Sequence, residues 1–235
     1  MRFPLKFLPL SGVLSTLLFL TLMVTIHVLH YGKPARFITI SDLARSFYVP
    51  ETTIMAAGMT LEAVILFFNG FFLFKTVKPR YHKHYKLFSA FRYTHLLLVI
   101  LGSFAMSCVG MFVVSGEGWK TPHNLSAGMF FIFSSLANIL VIILDWAFIS
   151  IFISCSRILA TLTAAACMIA YSTSFPSKLA WDNFCEWVGL VLLFLVSYST
   201  YFTFSGCRVE INIGNSQKLA EMPHIDELEV SFDSE

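Results

Sequence analysis

The sequence predicts an all-α polytopic membrane protein: a bundle of six transmembrane helices with an ordered first lumenal or extracellular loop. Three observations lead there. The 235-residue chain is 57% hydrophobic and only 13% charged, whereas an ordinary soluble domain is about 25% charged. Five stretches contain no Asp, Glu, Lys or Arg: Phe7–Gly32, Tyr93–Gly116, Thr121–Leu144, Ile158–Ser177 and Trp187–Cys207. A sixth, Thr52–Phe74, carries Glu62 alone. Each run is close to the ~20 apolar residues a helix needs to cross a bilayer. None alternates apolar and polar residues as a membrane β-strand does. A soluble fold of this length has too little interior to bury so much apolar surface, and inside a bilayer the helix satisfies its own backbone.

The elements follow in order. The membrane domain covers residues 1–207, with spans at about 8–30, 53–74, 93–114, 124–146, 157–175 and 183–205; residues 208–235 form an acidic cytosolic tail. The first run exceeds the length of a signal-peptide core and lacks a small-residue cleavage site, so it reads as a retained span. Asp145 and Arg157 bracket an apolar segment between spans four and five, which leaves that boundary the least defined. The tail, with Glu210, Glu221, Asp226, Glu227, Glu229, Asp233 and Glu235, has little apolar content to order it.

Lys and Arg set the orientation, because cytosolic loops are enriched in them. With a cytosolic N-terminus, eleven of the 16 basic residues lie on the cytosolic side. Both termini are therefore expected there. The most basic segment, Lys75–Arg92, fixes topology and is also suited to anionic headgroups. Net charge is +2, which gives no polybasic case for nucleic acid. The five cysteines suggest no disulfide framework. Cys155 and Cys207 fall near the cytosolic face, where juxtamembrane thiols are acylation candidates.

Residues that could carry chemistry form two groups. The intramembrane polar residues are Glu62 and Asn69 on span two and Asn138 on span four. Charged groups in a bilayer are costly and usually face the bundle interior. Gly58, Glu62 and Asn69 share roughly one helix face. A stripe of Ser103, Ser107 and Gly110 on span three suits close helix packing. The second group lies at the lumenal mouth: Asp42, Glu51, His123 and Glu186, a candidate ligand-binding cluster. His with carboxylates can hold a ligand or move protons. The alternative is a hydrogen-bonded cap that locks the first loop over the bundle. His123 and Glu186 start spans on the same side and are expected to approach each other. No HExxH, Gly-x-Ser-x-Gly or paired CxxC motif is present, and no cofactor or metal is expected.

Several motifs together resemble a known family. Thr39-Ile40-Ser41-Asp42 followed by Val49-Pro50-Glu51, Pro122-His123-Asn124 followed by Ala127-Gly128, Phe184-Cys185-Glu186-Trp187, and the Gly-containing segment Leu101–Met106 keep the order and spacing of the damage-regulated autophagy modulator family. That family belongs to the wider Frag/Sfk/CWH-type group of six-span membrane proteins. The resemblance covers about residues 8–213. Leu43-Ala44-Arg45 and Phe47-Tyr48 depart from the pattern. The resemblance implies a multi-pass protein of the lysosomal or plasma membrane. It implies a regulator or scaffold linked to autophagy or membrane-lipid signalling, rather than a catalyst. Membrane lipids are expected partners, and a cytosolic protein could engage the basic loop or the acidic tail. The alternative is a lipid-handling protein, similar to those that remodel GPI anchors, using the lumenal His and carboxylates. A transporter built on Glu62 is a third reading, without the Gly/Pro-interrupted helix pair such proteins use.

Overall fold

The computed structural model describes residues 2–31, 40, 49–77, 85–112, 117–146, 149–173, 180–205 and 207–210. Six long helices carry the fold: α1 (Phe7–Tyr31), α2 (Val49–Thr76), α3 (Tyr85–Met111), α4 (Glu117–Asp145), α5 (Ile151–Thr173) and α6 (Ala180–Tyr198). A single 3-10 turn, Ser199–Tyr201, continues α6. Each helix contains a stretch long and apolar enough to cross a membrane. The chain is an all-α bundle of six such helices, and this is a multi-pass integral membrane protein.

The bundle is a ring, with α1 on α2, α2 on α3, α3 on α4, α5 on α6, and α6 closing back on α1 and α4. Packing is most extensive between α3 and α4 and sparse between α4 and α5. The outward faces stay apolar: Phe152 is 78% exposed, Leu29 75% and Phe104 66%. Water would penalise that surface, and lipid does not.

Two short strands pair at one end of the bundle. β1 (Arg2–Pro4) runs antiparallel to β2 (Arg208–Glu210), with Phe3 opposite Val209. The Leu5 amide extends the contact by donating to the Cys207 carbonyl at 3.0 Å. The segments before the first span and after the last therefore lie on the same side; this end is called the terminal end, and the other the loop end.

The sequence-derived boundaries shift in three places. α3 begins at Tyr85 rather than near 93, so Lys86 and Arg92 are helical. Arg92 donates to the Phe74 carbonyl at the end of α2 and lies over the Phe74 ring, 4.5 Å from its centre. A cation there complements the partial negative charge of a helix C-terminus. α5 begins at Ile151 rather than near 157, which places Arg157 inside the helix. The last span stops as an α-helix at Tyr198, and its continuation turns into β2. Residues 32–39 and 41–48 of the first loop, and residues 211–235 of the tail, lie outside the described residues.

The interior is layered. Towards the loop end, Phe19, Met23, Met55, Met59, Met106, Phe130, Phe194 and Tyr198 form one apolar cluster. Towards the terminal end, Leu5, Leu73, Val77, Phe88, Val141, Leu144, Phe204 and Val209 form another. Between them, on α2, α3, α4, α6 and the 3-10 turn, sit Asn69, His95, Ser103, Asn138, Ser197 and Thr200. The bundle has a polar belt between two apolar cores.

Candidate functional site: a polar belt gathered around the end of α6

The belt is organised by one stretch of chain, Ser197-Tyr198-Ser199-Thr200, with Thr203 a turn further on. Its polar groups reach three neighbouring helices, α2, α4 and α5. Asn69 on α2 donates through Nδ2 to the Ser197 carbonyl at 2.9 Å and accepts from Thr200 Oγ1 at 2.9 Å. Asn138 on α4 donates to the Leu193 carbonyl at 3.1 Å and accepts from Ser197 Oγ at 2.9 Å. Such pairs tie helices together where lipid offers no alternative partner.

Tyr198 completes the belt on the α1–α2 side. Its hydroxyl donates to Glu62 Oε2, and Ser15 and Thr16 of α1 stand beside the same carboxyl. Glu62 is wholly buried, so it faces neighbouring helices and not lipid. The Tyr198 ring lies against Gly12: a Cβ there would fall 2.3 Å from it. Gly58 plays the same part for Phe19, with a hypothetical Cβ 2.1 Å from that ring. These two glycines are what let α1 approach α6 and α2.

Below the belt, at the terminal end, Arg157 of α5 and Asp145 of α4 form a buried ion pair. Arg157 Nη1 donates to Asp145 Oδ1 at 2.8 Å and Oδ2 at 2.6 Å. Its Nε donates to Ser199 Oγ at 2.6 Å and its Nη2 to the Ser199 carbonyl at 2.8 Å. Thr203 adds a bond to Asp145 Oδ2 at 2.6 Å. Both side chains are at most 2% exposed. Asp145 and Arg157 thus close on each other, and the sparse α4–α5 contact is compensated by this clasp.

At the loop end, the predicted cluster is distributed over several partners. Glu51, in the first turn of α2, contacts His30 at the end of α1. The dipole of α2 favours an acid at that position. Glu186 accepts the backbone N–H of Ile40 at 3.0 Å, across 146 residues of sequence. His123 donates from Nδ1 to the Phe112 carbonyl at 3.0 Å. Glu51, His123 and Glu186 are all buried, at 0%, 2% and 7% exposure. A cavity of about 30 Å³, lined by Ile40, Met59, Met106, Phe130 and Glu186, lies beside Glu186. Asp42 lies outside the described residues. Among the described residues, no group of three His, Cys, Asp or Glu side chains converges to hold a metal ion.

Sequence reasoning missed Tyr198, Ser197, Thr200, Thr203, His95 and His30. The available signal was the hydroxyl-rich run Ser197–Thr203 at the end of an otherwise apolar span. A third feature lies outside the belt. An apolar groove of about 650 Å³ opens between α4 and α5, lined by Ile139, Ile143, Trp146, Ile158, Leu162 and Ala165 among others.

Set against known families, curated proteins and solved structures, the chain matches no family model, no curated protein and no solved structure.

Proposed function

We propose that this protein is a membrane-embedded regulator or scaffold resembling the damage-regulated autophagy modulator family. In this reading it works in the lysosomal or plasma membrane with both termini cytosolic, in autophagy or membrane-lipid signalling. It acts by holding a fixed shape and presenting the basic loop and acidic tail to a cytosolic partner. The observation that carries this reading is the loop end. Glu51 and Glu186 have their carboxylates turned onto His30 and the Ile40 amide. The cavity beside Glu186, about 30 Å³, is far below the roughly 300–1,000 Å³ of sites that enclose organic ligands. These contacts and this volume support a cap at the loop end over a headgroup pocket.

The test uses knockout cells complemented with wild type, Glu186→Ala or Glu186→Gln. Autophagic flux and protein abundance are measured in the same cells. A cap predicts that flux tracks abundance in both variants. Loss of flux by Glu186→Gln at wild-type abundance would overturn the scaffold reading in favour of a chemical site.

A second reading, lipid handling, draws on the groove between α4 and α5. Its volume, about 650 Å³, suits a lipid chain, and its walls are apolar. It opens at the terminal half of the bundle, far along α4 from His123. A lipid protein of this design would use the groove and not the His and carboxylates of the loop end. Crosslinking of a photoreactive fatty-acyl lipid to α4 and α5 peptides, lost in Ile143→Trp, would support it; equal labelling of every outward helix face would remove it.

A further inference from the structure

We propose that Lys75 and Arg92, where α2 meets α3 at the terminal end, bind the phosphate of an anionic phospholipid. The two cations stand over neighbouring rings of one helix. Lys75 Nζ lies 5.7 Å from the centre of the Phe71 ring, and the Arg92 guanidinium 4.5 Å from that of Phe74. Positions three apart on a helix are side by side. Arg92 also donates through Nη2 to the Phe74 carbonyl, part of the peptide that joins Phe74 to Lys75. The guanidinium and the root of the lysine side chain are therefore neighbours.

The protein does not balance this charge. Among the described residues neither cation meets a carboxylate, and no Asp or Glu lies between Glu62 and Glu117 in the sequence. Asp145, the buried acid at this end of the bundle, is committed to Arg157. The carbonyls at the end of α2 supply roughly −0.5 of an elementary charge, which offsets part of one cation and nothing of the second. A basic side chain at the end of a span ordinarily extends toward water. Lys75 instead turns back along α2 to Phe71, into the apolar span, where an unmatched charge is costly. An anion supplied by the membrane removes that cost.

The site is open to the outside, as a lipid site must be. Lys75 and Arg92 are both part-exposed. Arg92 has Nη2 on the Phe74 carbonyl and Nε buried, which leaves Nη1 to face a ligand. Tyr93, 62% exposed, flanks the site with its ring 5.2 Å from that of Phe74. Deeper along α2, Phe67 stacks on Phe71 and Phe68 on Phe72. A phosphate held by the two cations thus has an apolar, aromatic flank beside it for acyl chains. Juxtamembrane cations attract acidic headgroups, and this flank selects a phospholipid over free phosphate. The site is separate from the loop-end cap and from the groove between α4 and α5.

The test is lipid binding by the full-length protein in detergent, read by native mass spectrometry. Phosphatidic acid is titrated against phosphatidylcholine of the same chains. One phosphatidic acid should bind in preference to phosphatidylcholine. Lys75→Gln removes one cation and leaves Arg92 on its carbonyl; it should weaken that binding about fivefold, the worth of one basic residue at an anionic surface. Lys75→Arg should bind as wild type does. Lys86 is exposed and lies six residues before Arg92, on a different face of α3, so Lys86→Gln should leave the affinity unchanged. Equal affinity for the two lipids, or equal losses in Lys75→Gln and Lys86→Gln, overturns the proposal. Displacement of the lipid by inorganic phosphate at the same concentration overturns it too, because the anion alone is then recognised. Binding seen only in a chain ending at Glu210 assigns the cations to the acidic tail and is equally fatal.

Discussion

Asp145 and Glu62 are both acids with no exposed surface, yet the bundle treats them in opposite ways. Asp145 lies at the terminal end and receives a guanidinium, a threonine hydroxyl, and the helix junction built around both. Glu62 lies deep in α2, where its carboxyl meets a tyrosine hydroxyl and, beside it, Ser15 and Thr16, with no cation among the described residues. Near an end, a charge can be kept by importing its opposite. In the middle, neutral donors on neighbouring helices do the holding, and close packing by Gly12 and Gly58 brings them into range. The first arrangement is strong but fails abruptly when one partner goes; the second is weaker and more forgiving.

Four experiments sharpen that contrast. The largest effect is expected at the ion pair. Arg157→Leu leaves Asp145 buried without its cation and should cost about 3–5 kcal/mol of unfolding free energy, measured by denaturation in mixed micelles. The double variant Asp145→Leu/Arg157→Leu should recover much of that loss, since no charge is then stranded. A double variant as unstable as the single would mean that the pair does not work as a unit.

Glu62 comes next. Glu62→Gln keeps an acceptor for Tyr198 and should cost no more than about 0.5–1.5 kcal/mol, the worth of an ordinary hydrogen bond. Glu62→Lys places a cation among hydroxyls and should abolish accumulation of folded protein. Similar yields of both after purification would show that the carboxyl is not held as described. A smaller loss is expected for Asn138→Ala, about 0.6 kcal/mol for an interhelical hydrogen bond within a membrane, measured in the same micelles. A loss as large as that of Arg157→Leu would mean that Asn138 carries more than a pairwise bond.

The mildest test leaves stability alone. Cys155 is exposed, while Cys207 is buried at 3% exposure, with its thiol directed at the Thr203 carbonyl. Burial pushes the Cys207 thiol above its ordinary value. The neutral thiol is therefore favoured, and its thiolate, the reactive form, should stay scarce across the range where a free cysteine ionises. Maleimide should label Cys155 first, and raising the pH to about 8.5, the ordinary cysteine value, should leave Cys207 unlabelled in the folded protein. Equal rates at both would contradict its burial. Acylation, if it occurs at one of the two, belongs to Cys155.

The six spans were legible because the cost of a charge in lipid is large enough to empty whole stretches of sequence of Lys, Arg, Asp and Glu. The same cost made Glu62 legible as an interior residue. The rule misled at the edges. Lys86 and Arg92 read as loop, yet both are helical, because a long basic side chain can reach past the end of an apolar span. Asp145 and Arg157 read as markers of a turn, because nothing in sequence says that two charges twelve apart will meet. Hydroxyl groups barely change hydropathy, so Tyr198, Thr200 and Thr203 were hidden inside an apolar run. The bond from Ile40 to Glu186 spans too much chain for any local pattern to announce it. Strands of three residues are too short to show alternation, and β1 and β2 passed unseen.

That small sheet has a consequence for how the protein is made. β1 leaves the ribosome before the six spans described here, and β2 only after them. At roughly 5–20 residues per second, the interval is on the order of tens of seconds. Throughout it the Arg2–Pro4 segment has no strand to pair with, and Leu5 lacks the Cys207 carbonyl that receives its amide. A chain whose last span is misplaced across the bilayer delivers β2 to the wrong side and never closes the pair. The strand pair thus acts as a completion seal, open on a chain that is unfinished or whose last span is misplaced and shut only when all six spans have arrived.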